Sequence, residues 1–141
     1  MIKKGKRQVD YGVLPLEGLW WADDMSKFDV ENKGNWKWTS MMMQPEFVEN
    51  DLFDTAIEQV KKKKDLSALS KIRFESFAEG KSVQIMHIGP FSEEGPTIEK
   101  VHTYIEENGF KFSGTHHEIY LSDTRKANPE KWKTIIRQPI K

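Results

Sequence analysis

The 141-residue chain contains no cysteine, which excludes disulfide bonds, thiolate nucleophiles and most zinc sites. Its 22 basic and 22 acidic side chains cancel, so it lacks the positive charge with which proteins neutralise nucleic-acid phosphates. No apolar run approaches the ~20 residues of a membrane span, and no apolar segment follows the basic start 1–7 as it would in a signal peptide. We therefore expect a single cytoplasmic domain over 1–141, with an N-terminal arm over about 1–14, that binds neither nucleic acid nor a membrane.

Several common catalytic and cofactor-binding motifs are also absent. The sequence has no glycine-rich phosphate loop, no Walker motif and no G-x-S-x-G nucleophile elbow. His116 and His117 are adjacent on a predicted strand and so point to opposite faces, and no third ligand lies at a recognisable spacing. We therefore predict no metal and no cofactor. His87 precedes a Gly-Pro pair, where we interpret it as a hydrogen-bonded structural histidine and keep it as a candidate ligand contact.

Aromatic residues, in contrast, are numerous for so polar a chain. Five Trp, eight Phe and three Tyr occur at a mean hydropathy of −0.70. In a strand alternate side chains share a face, so Trp36 and Trp38 must point the same way while Trp20 and Trp21 point oppositely. Each ring alone is most simply core filling. Several rings together beside candidate acids favour a binding wall.

Hydrophobic periodicity predicts six strands and two helices. Apolar stripes at helical spacing indicate helices over about 49–63 and 95–108, with Pro96 near the start of the second and Asn108-Gly109 at its end. The strands are predicted at 16–22, 36–43, 71–77, 82–88, 115–121 and 132–138. Two helices cannot cover both faces of such a sheet. We therefore expect an α+β fold with both helices on one face of a curved antiparallel sheet and a concave surface on the other.

One structural unit occurs twice along the chain. A constant shift places 41–45 on 86–90, and it matches the apolar stripes of the two helices: Phe53, Ala56 and Val60 with Ile98, Val101 and Ile105. A duplicated unit of this kind closes a cleft along its pseudo-two-fold axis, so that residues at matching positions face each other across a ligand site. The strand-like runs that follow the helices contain the matching acids Glu75 and Glu118.

Alternation along these two runs predicts which face each acid occupies. We expect the apolar Ile119 and Leu121 to take the helix side, which places Glu118 and Tyr120 on the open side together with Glu75 and Phe77. A carboxylate framed by rings can neutralise a cationic ligand, or it can act as a general base when burial raises its pKa. The alternative, a solvated strand carboxylate, stays open for Glu75, Glu79 and Glu118.

Two segments carry a resemblance to a known family. His87-Ile88-Gly89-Pro90-Phe91 before a helix, and His117-Glu118-Ile119-Tyr120-Leu121-Ser122-Asp123 after it, resemble the GyrI-like small-molecule-binding domain over about 14–141. The resemblance implies a duplicated strand-helix-strand-strand fold whose central cleft binds drug-like molecules. In multidrug-sensing relatives the glutamate of this strand meets cationic aromatic ligands, which carries over to Glu118. Those relatives carry a helix-turn-helix domain before the binding domain. Only about fifteen residues precede the first predicted strand here, so direct transcriptional control is not expected.

A further set of segments is similar to a stand-alone branch, the cyclopropanoid cyclopropyl hydrolases: 17–21, 36–38, 44–45, 116–118 and 133–139. This resemblance implies hydrolysis of planar, electrophilic, DNA-alkylating toxins, with Glu118 or Glu75 deprotonating the attacking water. The candidate ligand-binding residues are Trp20, Trp21, Trp36, Trp38, Phe77, Tyr120 and His87. The alternatives are a non-catalytic protein that binds or sequesters aromatic or cationic molecules, and a gyrase-inhibitor-like protein. Either a monomer or a homodimer is compatible with the sequence.

Overall fold

The computed structural model describes residues 10–23 and 33–141, which contain five strands and two α-helices. The elements are β1 (Leu16–Trp21), β2 (Lys37–Met42), α1 (Asn50–Lys63), β3 (Ser82–Ile88), α2 (Gly95–Glu107), β4 (His116–Tyr120) and β5 (Lys133–Pro139). The α+β class is confirmed. Most of the predicted N-terminal arm and most of the loop predicted after β1 lie outside the described residues. No helix among the described residues is long and apolar enough to cross a membrane.

The five strands form one curved antiparallel sheet in the order β2-β1-β4-β5-β3. The strand β4 is therefore central, and β2 and β3 are the edges. In the register of the sheet, Glu118 on β4 lies opposite Gly18 on β1 and opposite Ile136 on β5. These pairs decide which side chains share a face, because directly opposed residues point to the same side of a sheet.

Helix α2 packs on one face of this sheet and forms its hydrophobic core. Its predicted stripe of Ile98, Val101 and Ile105 is almost fully buried and packs with Ile136 and Ile140. Pro96 lies in the first turn, where its missing N–H costs nothing. The helix ends before Gly109, which has a positive φ of 71° and provides the left-handed conformation that often follows a helix. The prediction for this helix is confirmed.

The chain divides into two compact units, and each is described by itself. The sheet unit contains Pro15–Met42 and Glu79–Lys141, and so holds all five strands and α2. The other unit contains Met43–Ala78 and, of the residues before Pro15, the described residues 10–14. Within it, α1 buries Leu52, and Phe53 stacks on Phe74 with 5.3 Å between ring centroids. The place of α1 on the same face as α2 stays a prediction.

The predicted strand over 71–77 is wrong. A short 3-10 helix spans Ser67–Lys71, and the chain from 72 to 81 belongs to no strand. The run Phe74-Glu75-Ser76-Phe77 and its match to the strand around Glu118 indicated a strand, yet a strand also needs a neighbour whose backbone completes its hydrogen bonds. Here Phe74 packs on α1 instead. The sheet therefore has five strands rather than six.

Candidate ligand-binding and active site

The side chain of Glu118 points to the sheet face on which α2 packs. It lies directly opposite Ile136, which is fully buried in the core under α2. His116 lies on the same face, close enough to α2 to affect one of its residues, His102. Burial lowers the pKa of His102, and the electrostatic interaction with His116 lowers it further. Glu118 itself is only 5% exposed.

The predicted orientation of β4 was therefore wrong. We expected Ile119 and Leu121 to face the helix, but the register puts Ile119 on the opposite face, and Leu121 is 42% exposed. Side-chain polarity does not predict burial on the central strand, because the polar residues His116, His117 and Glu118 are all buried. The polar residues His116 and Glu118 consequently form a buried polar site beside the apolar core.

The Glu118 carboxylate is held by neighbours on β1 and β4. The Tyr120 hydroxyl donates to Glu118 Oε2 at 3.4 Å and accepts a hydrogen bond from Trp20 Nε1 at 2.9 Å. His116 Nε2 lies 3.8 Å from the same carboxylate oxygen. Gly18 makes this approach possible, because a Cβ on it would lie 2.8 Å from Trp20 Nε1 and 3.1 Å from the Tyr120 hydroxyl.

The Tyr120 hydroxyl keeps its proton at neutral pH. Burial raises the pKa of Tyr120 well above its ordinary value of 10.0, and the negative charges of Glu118 and Glu94 raise it further, while the hydrogen bond from Trp20 acts in the opposite sense. Tyr120 is thus a hydrogen-bond donor to Glu118. Glu94, at the start of α2 and only 3% exposed, is a second buried acid near Tyr120.

Aromatic rings extend from this carboxylate in both directions along the sheet. The Trp20 ring lies 5.8 Å from that of Trp36 and 6.4 Å from that of Trp38. On the other side, the ring of Tyr120 lies 5.6 Å from that of Phe91, which in turn lies 4.9 Å from that of Trp132. We call these six residues the ring cluster: Trp36, Trp38, Trp20, Tyr120, Phe91 and Trp132.

The sequence identified four members of the ring cluster and missed two. Trp20 and Trp21 point to opposite faces, as the alternation predicted, and Trp20 joins Trp36 and Trp38. Phe91 and Trp132 were missed because alternation within a strand does not show that their rings contact each other and the ring of Tyr120. Phe91 is the last residue of the segment that resembles the family, which was the available signal. Trp132 is fixed by its indole N–H, which donates to the Ala127 carbonyl at 2.9 Å.

Other predicted ligand-binding residues lie away from Glu118. Trp21 lines a separate cavity of about 400 Å³ with Leu19 and Thr39 on the opposite face of the sheet. His87 is buried and has both ring nitrogens engaged: Nε2 donates to the Pro90 carbonyl at 3.1 Å, and Nδ1 accepts from the Thr97 hydroxyl at 2.8 Å. These bonds secure the connection that carries Phe91. A direct ligand contact by Trp21 or His87 stays a prediction.

Glu75 and Phe77 belong to the unit that contains α1. The Glu75 side chain is 62% exposed and lies 3.8 Å from Arg73, and Phe77 is 53% exposed. Without a strand at 71–77, no sheet register pairs Glu75 with Glu118. A catalytic role for Glu75 and a ligand contact by Phe77 stay predictions.

The opposite face of β4 carries a buried network of charges that the sequence did not reveal. The two ring nitrogens of His117 each lie 2.8 Å from a carboxylate oxygen, one of Glu17 and one of Glu79. Arg137 Nη1 lies 3.1 Å from the same oxygen of Glu79. The interpretation of Glu79 as solvated was wrong, because its side chain is only 10% exposed. The network joins β1, β4, β5 and the residues before β3 directly behind Glu118.

The arrangement around Glu118 can do two kinds of chemistry. A buried carboxylate beside a protonated hydroxyl can accept a proton from a bound water, and beside aromatic faces it can balance a cation. The rings provide flat apolar walls for a planar ligand. Within 10–23 and 33–141, no group of three or more His, Asp or Glu side chains is placed to hold a metal ion.

Comparisons with known proteins agree with this fold. Three solved structures from Listeria innocua each align with 100% of the chain. An uncharacterized conserved protein is 45% identical with a TM-score of 0.88 and 72% of its own chain covered. A hydrolase is 42% identical with a TM-score of 0.80 and 71% covered. A hydrolase encoded by lin2189 is 42% identical with a TM-score of 0.83 and 72% covered.

No curated protein matches the chain. The family described as the GyrI-like small molecule binding domain matches residues 3–141, nearly the whole sequence. The chain therefore belongs to the family of GyrI-like small molecule binding domains.

Proposed function

We propose that this protein is a detoxifying hydrolase that opens the cyclopropane ring of planar, DNA-alkylating cyclopropanoids. The observation that carries the proposal is the buried Glu118 carboxylate, which Tyr120 holds at 3.4 Å inside the ring cluster. The resemblance of several segments to cyclopropanoid cyclopropyl hydrolases supports it. So do the two relatives described as hydrolases, each 42% identical to this chain.

In the proposed reaction, the flat body of the toxin stacks on the ring cluster beside Glu118. A water oxygen attacks the strained CH₂ carbon and forms a C–O bond, while the cyclopropane C–C bond breaks. The electron pair of that bond enters the conjugated ring system of the toxin, and Glu118 accepts the proton that the water loses. The toxin oxygen takes up one proton from solvent, and Glu118 then releases its proton to solvent, which restores the base. The balance is one toxin plus one water giving one ring-opened alcohol.

Glu118 has the environment that such a base requires. A positioned general base accelerates a reaction by ~10²–10⁴-fold, and relief of ring strain supplies further driving force. The hydrogen bond from Tyr120 fixes one carboxylate oxygen. Because the Tyr120 proton is tightly held, this bond is kept across the neutral pH range.

The experiment is incubation of the protein with a spirocyclopropyl alkylator, followed by mass analysis. A gain of one water by the alkylator, faster than in buffer, supports hydrolysis. Binding without turnover, seen as quenching of tryptophan fluorescence with no hydrated product, would instead favour the non-catalytic binding protein that the family description also fits. Absence of both would leave the gyrase-inhibitor-like role as the alternative to test.

A further inference from the structure

A second groove of the sheet unit has no residue in common with the ring cluster. It lies between the edge strand β3 and helix α2 and has a volume of about 590 Å³, which is within the ~300–1,000 Å³ of small-molecule sites. In the sheet order, β5 separates β3 from the strand that carries Glu118. A ligand in this groove would therefore occupy a site of its own.

The floor of the groove is apolar surface that the core leaves partly uncovered. Val83, Ile85 and Phe110 pack against the core but are only partly buried, and all three line the groove beside Val101. This surface stays open because β3 is an edge strand and has no further strand beyond it. An apolar ligand body would be stabilised by covering such surface, because burial removes apolar area from water.

The rim of the groove is positively charged. Lys81 and Lys100 both line it, and of the described residues that line it none is acidic. Lys81 Nζ lies 4.4 Å from the centroid of the Phe110 ring, and the Lys81 carbonyl accepts a hydrogen bond from the Ile140 N–H at 2.9 Å. Lys100 and Tyr104 are four residues apart on α2 and so flank the same side.

We propose that this groove binds an amphipathic monoanion, namely a carboxylic acid with an apolar aliphatic or aryl body. The carboxylate would lie between the ammonium groups of Lys81 and Lys100, with the Tyr104 hydroxyl as a further donor. The body would lie on Val83, Ile85 and Phe110. Charge complementarity selects an anion over a neutral or cationic molecule of the same length. The proposal does not depend on the reaction assigned to Glu118.

Calorimetric titration with three probes of equal chain length tests this assignment. Decanoate, decanol and decyltrimethylammonium are compared at concentrations below those at which they form micelles. We expect saturable binding of one decanoate per chain, weakened by added salt, and no comparable binding of the other two. Equal binding of decanol would overturn the assignment of an anion site, and so would binding to phosphatidylserine vesicles without binding of free decanoate.

Lysine variants test whether decanoate binds in this groove. The double substitution Lys81→Gln, Lys100→Gln should weaken decanoate binding by about tenfold or more, since it removes both positively charged partners of the carboxylate. The matched control Lys62→Gln, Lys126→Gln removes two exposed charges outside the groove and should bind decanoate as the native chain does. Glu118→Gln should also leave decanoate binding unchanged. Native affinity in the Lys81, Lys100 variant, or loss of binding in Glu118→Gln, would overturn the proposal.

Discussion

Gly18 illustrates how a single residue without a side chain permits the site. It lies opposite Glu118 in the sheet, and the Trp20 indole and the Tyr120 hydroxyl occupy the space where a side chain would be. The hydrogen bond that orients Tyr120 towards Glu118 therefore depends on this position. The same segment, 17–21, was part of the resemblance noted in the sequence, although its spacing alone did not explain why a glycine occurs there.

We predict that Gly18→Ala weakens ligand binding and lowers turnover. The added methyl would lie 2.8 Å from Trp20 Nε1, so the indole must shift, and overpacking of this kind costs about 1–3 kcal/mol of folding free energy. Urea unfolding and ligand titration measure the two effects. Gly12→Ala is the matched control, because a Cβ at Gly12 has no neighbour within 4 Å. Equal behaviour of the two variants would contradict the account of Gly18.

Tyr120 should make the native fold sensitive to alkaline pH. Its pKa is raised in the folded state above the ordinary value of 10.0, so above that pH the unfolded chain releases this proton before the folded chain does. The stabilisation is fully present below pH 10 and is lost as the pH rises further. Tyr120→Phe should therefore flatten the fall in unfolding free energy above about pH 10. The exposed Tyr104→Phe is the control, and an unchanged slope in Tyr120→Phe would refute the prediction.

At the scale of secondary structure, the sequence predicted what local patterns determine. Helix α2 was predicted closely because its apolar stripe, Pro96 and Gly109 are all local signals. The prediction of a strand at 71–77 was wrong because a strand needs hydrogen-bonding partners that are distant in the sequence. The prediction of which sheet face Glu118 occupies was wrong for a related reason. Alternation divides the residues of β4 into two sets, but only the register with β5 decides which set lies under α2.

Trp38 on strand β2 tests whether the ring cluster binds the ligand. Trp38 lies next to Trp20 but is 61% exposed, so its ring contributes little to the core. We predict that Trp38→Ala weakens ligand affinity by on the order of 1 kcal/mol or more, with little change in unfolding free energy. Fluorescence titration and chemical denaturation measure both. A loss of about 3–5 kcal/mol in stability would instead identify Trp38 as a core residue.

On the face opposite to Glu118, strand β4 is stabilised by the network of His117, Glu17, Glu79 and Arg137. His117→Leu would leave the buried carboxylates of Glu17 and Glu79 without this partner, and an uncompensated buried charge typically costs about 3–5 kcal/mol. We therefore expect His117→Leu to destabilise the fold on that scale in urea unfolding. Arg125→Gln is the control, since it breaks the exposed ion pair with Asp123 and should change stability little. Equal midpoints for the two variants would show that the network does not hold the sheet together.

On the scale of the whole molecule, the sheet unit alone holds the proposed chemistry. Glu118, its hydrogen-bonding partners and all six rings belong to Pro15–Met42 and Glu79–Lys141. The fold and the family could be predicted from the sequence, because the repeated stripes and the strand around Glu118 are continuous segments. The further residues around Glu118 and Tyr120 could not, because Gly18, Phe91, Glu94 and Trp132 come from separate parts of the chain that only the folded sheet brings together.

The most direct test of the account is the turnover of Glu118→Gln in a single-turnover reaction with a spirocyclopropyl alkylator. Glutamine preserves the size of the side chain and removes its charge and its basicity. The account predicts a loss of ~10²–10⁴-fold in the rate of hydration, with ligand affinity and unfolding free energy nearly unchanged. Glu75→Gln, run alongside, should hydrate the alkylator at the native rate. Native turnover in Glu118→Gln, or a loss confined to Glu75→Gln, would contradict the assignment of Glu118 as the base.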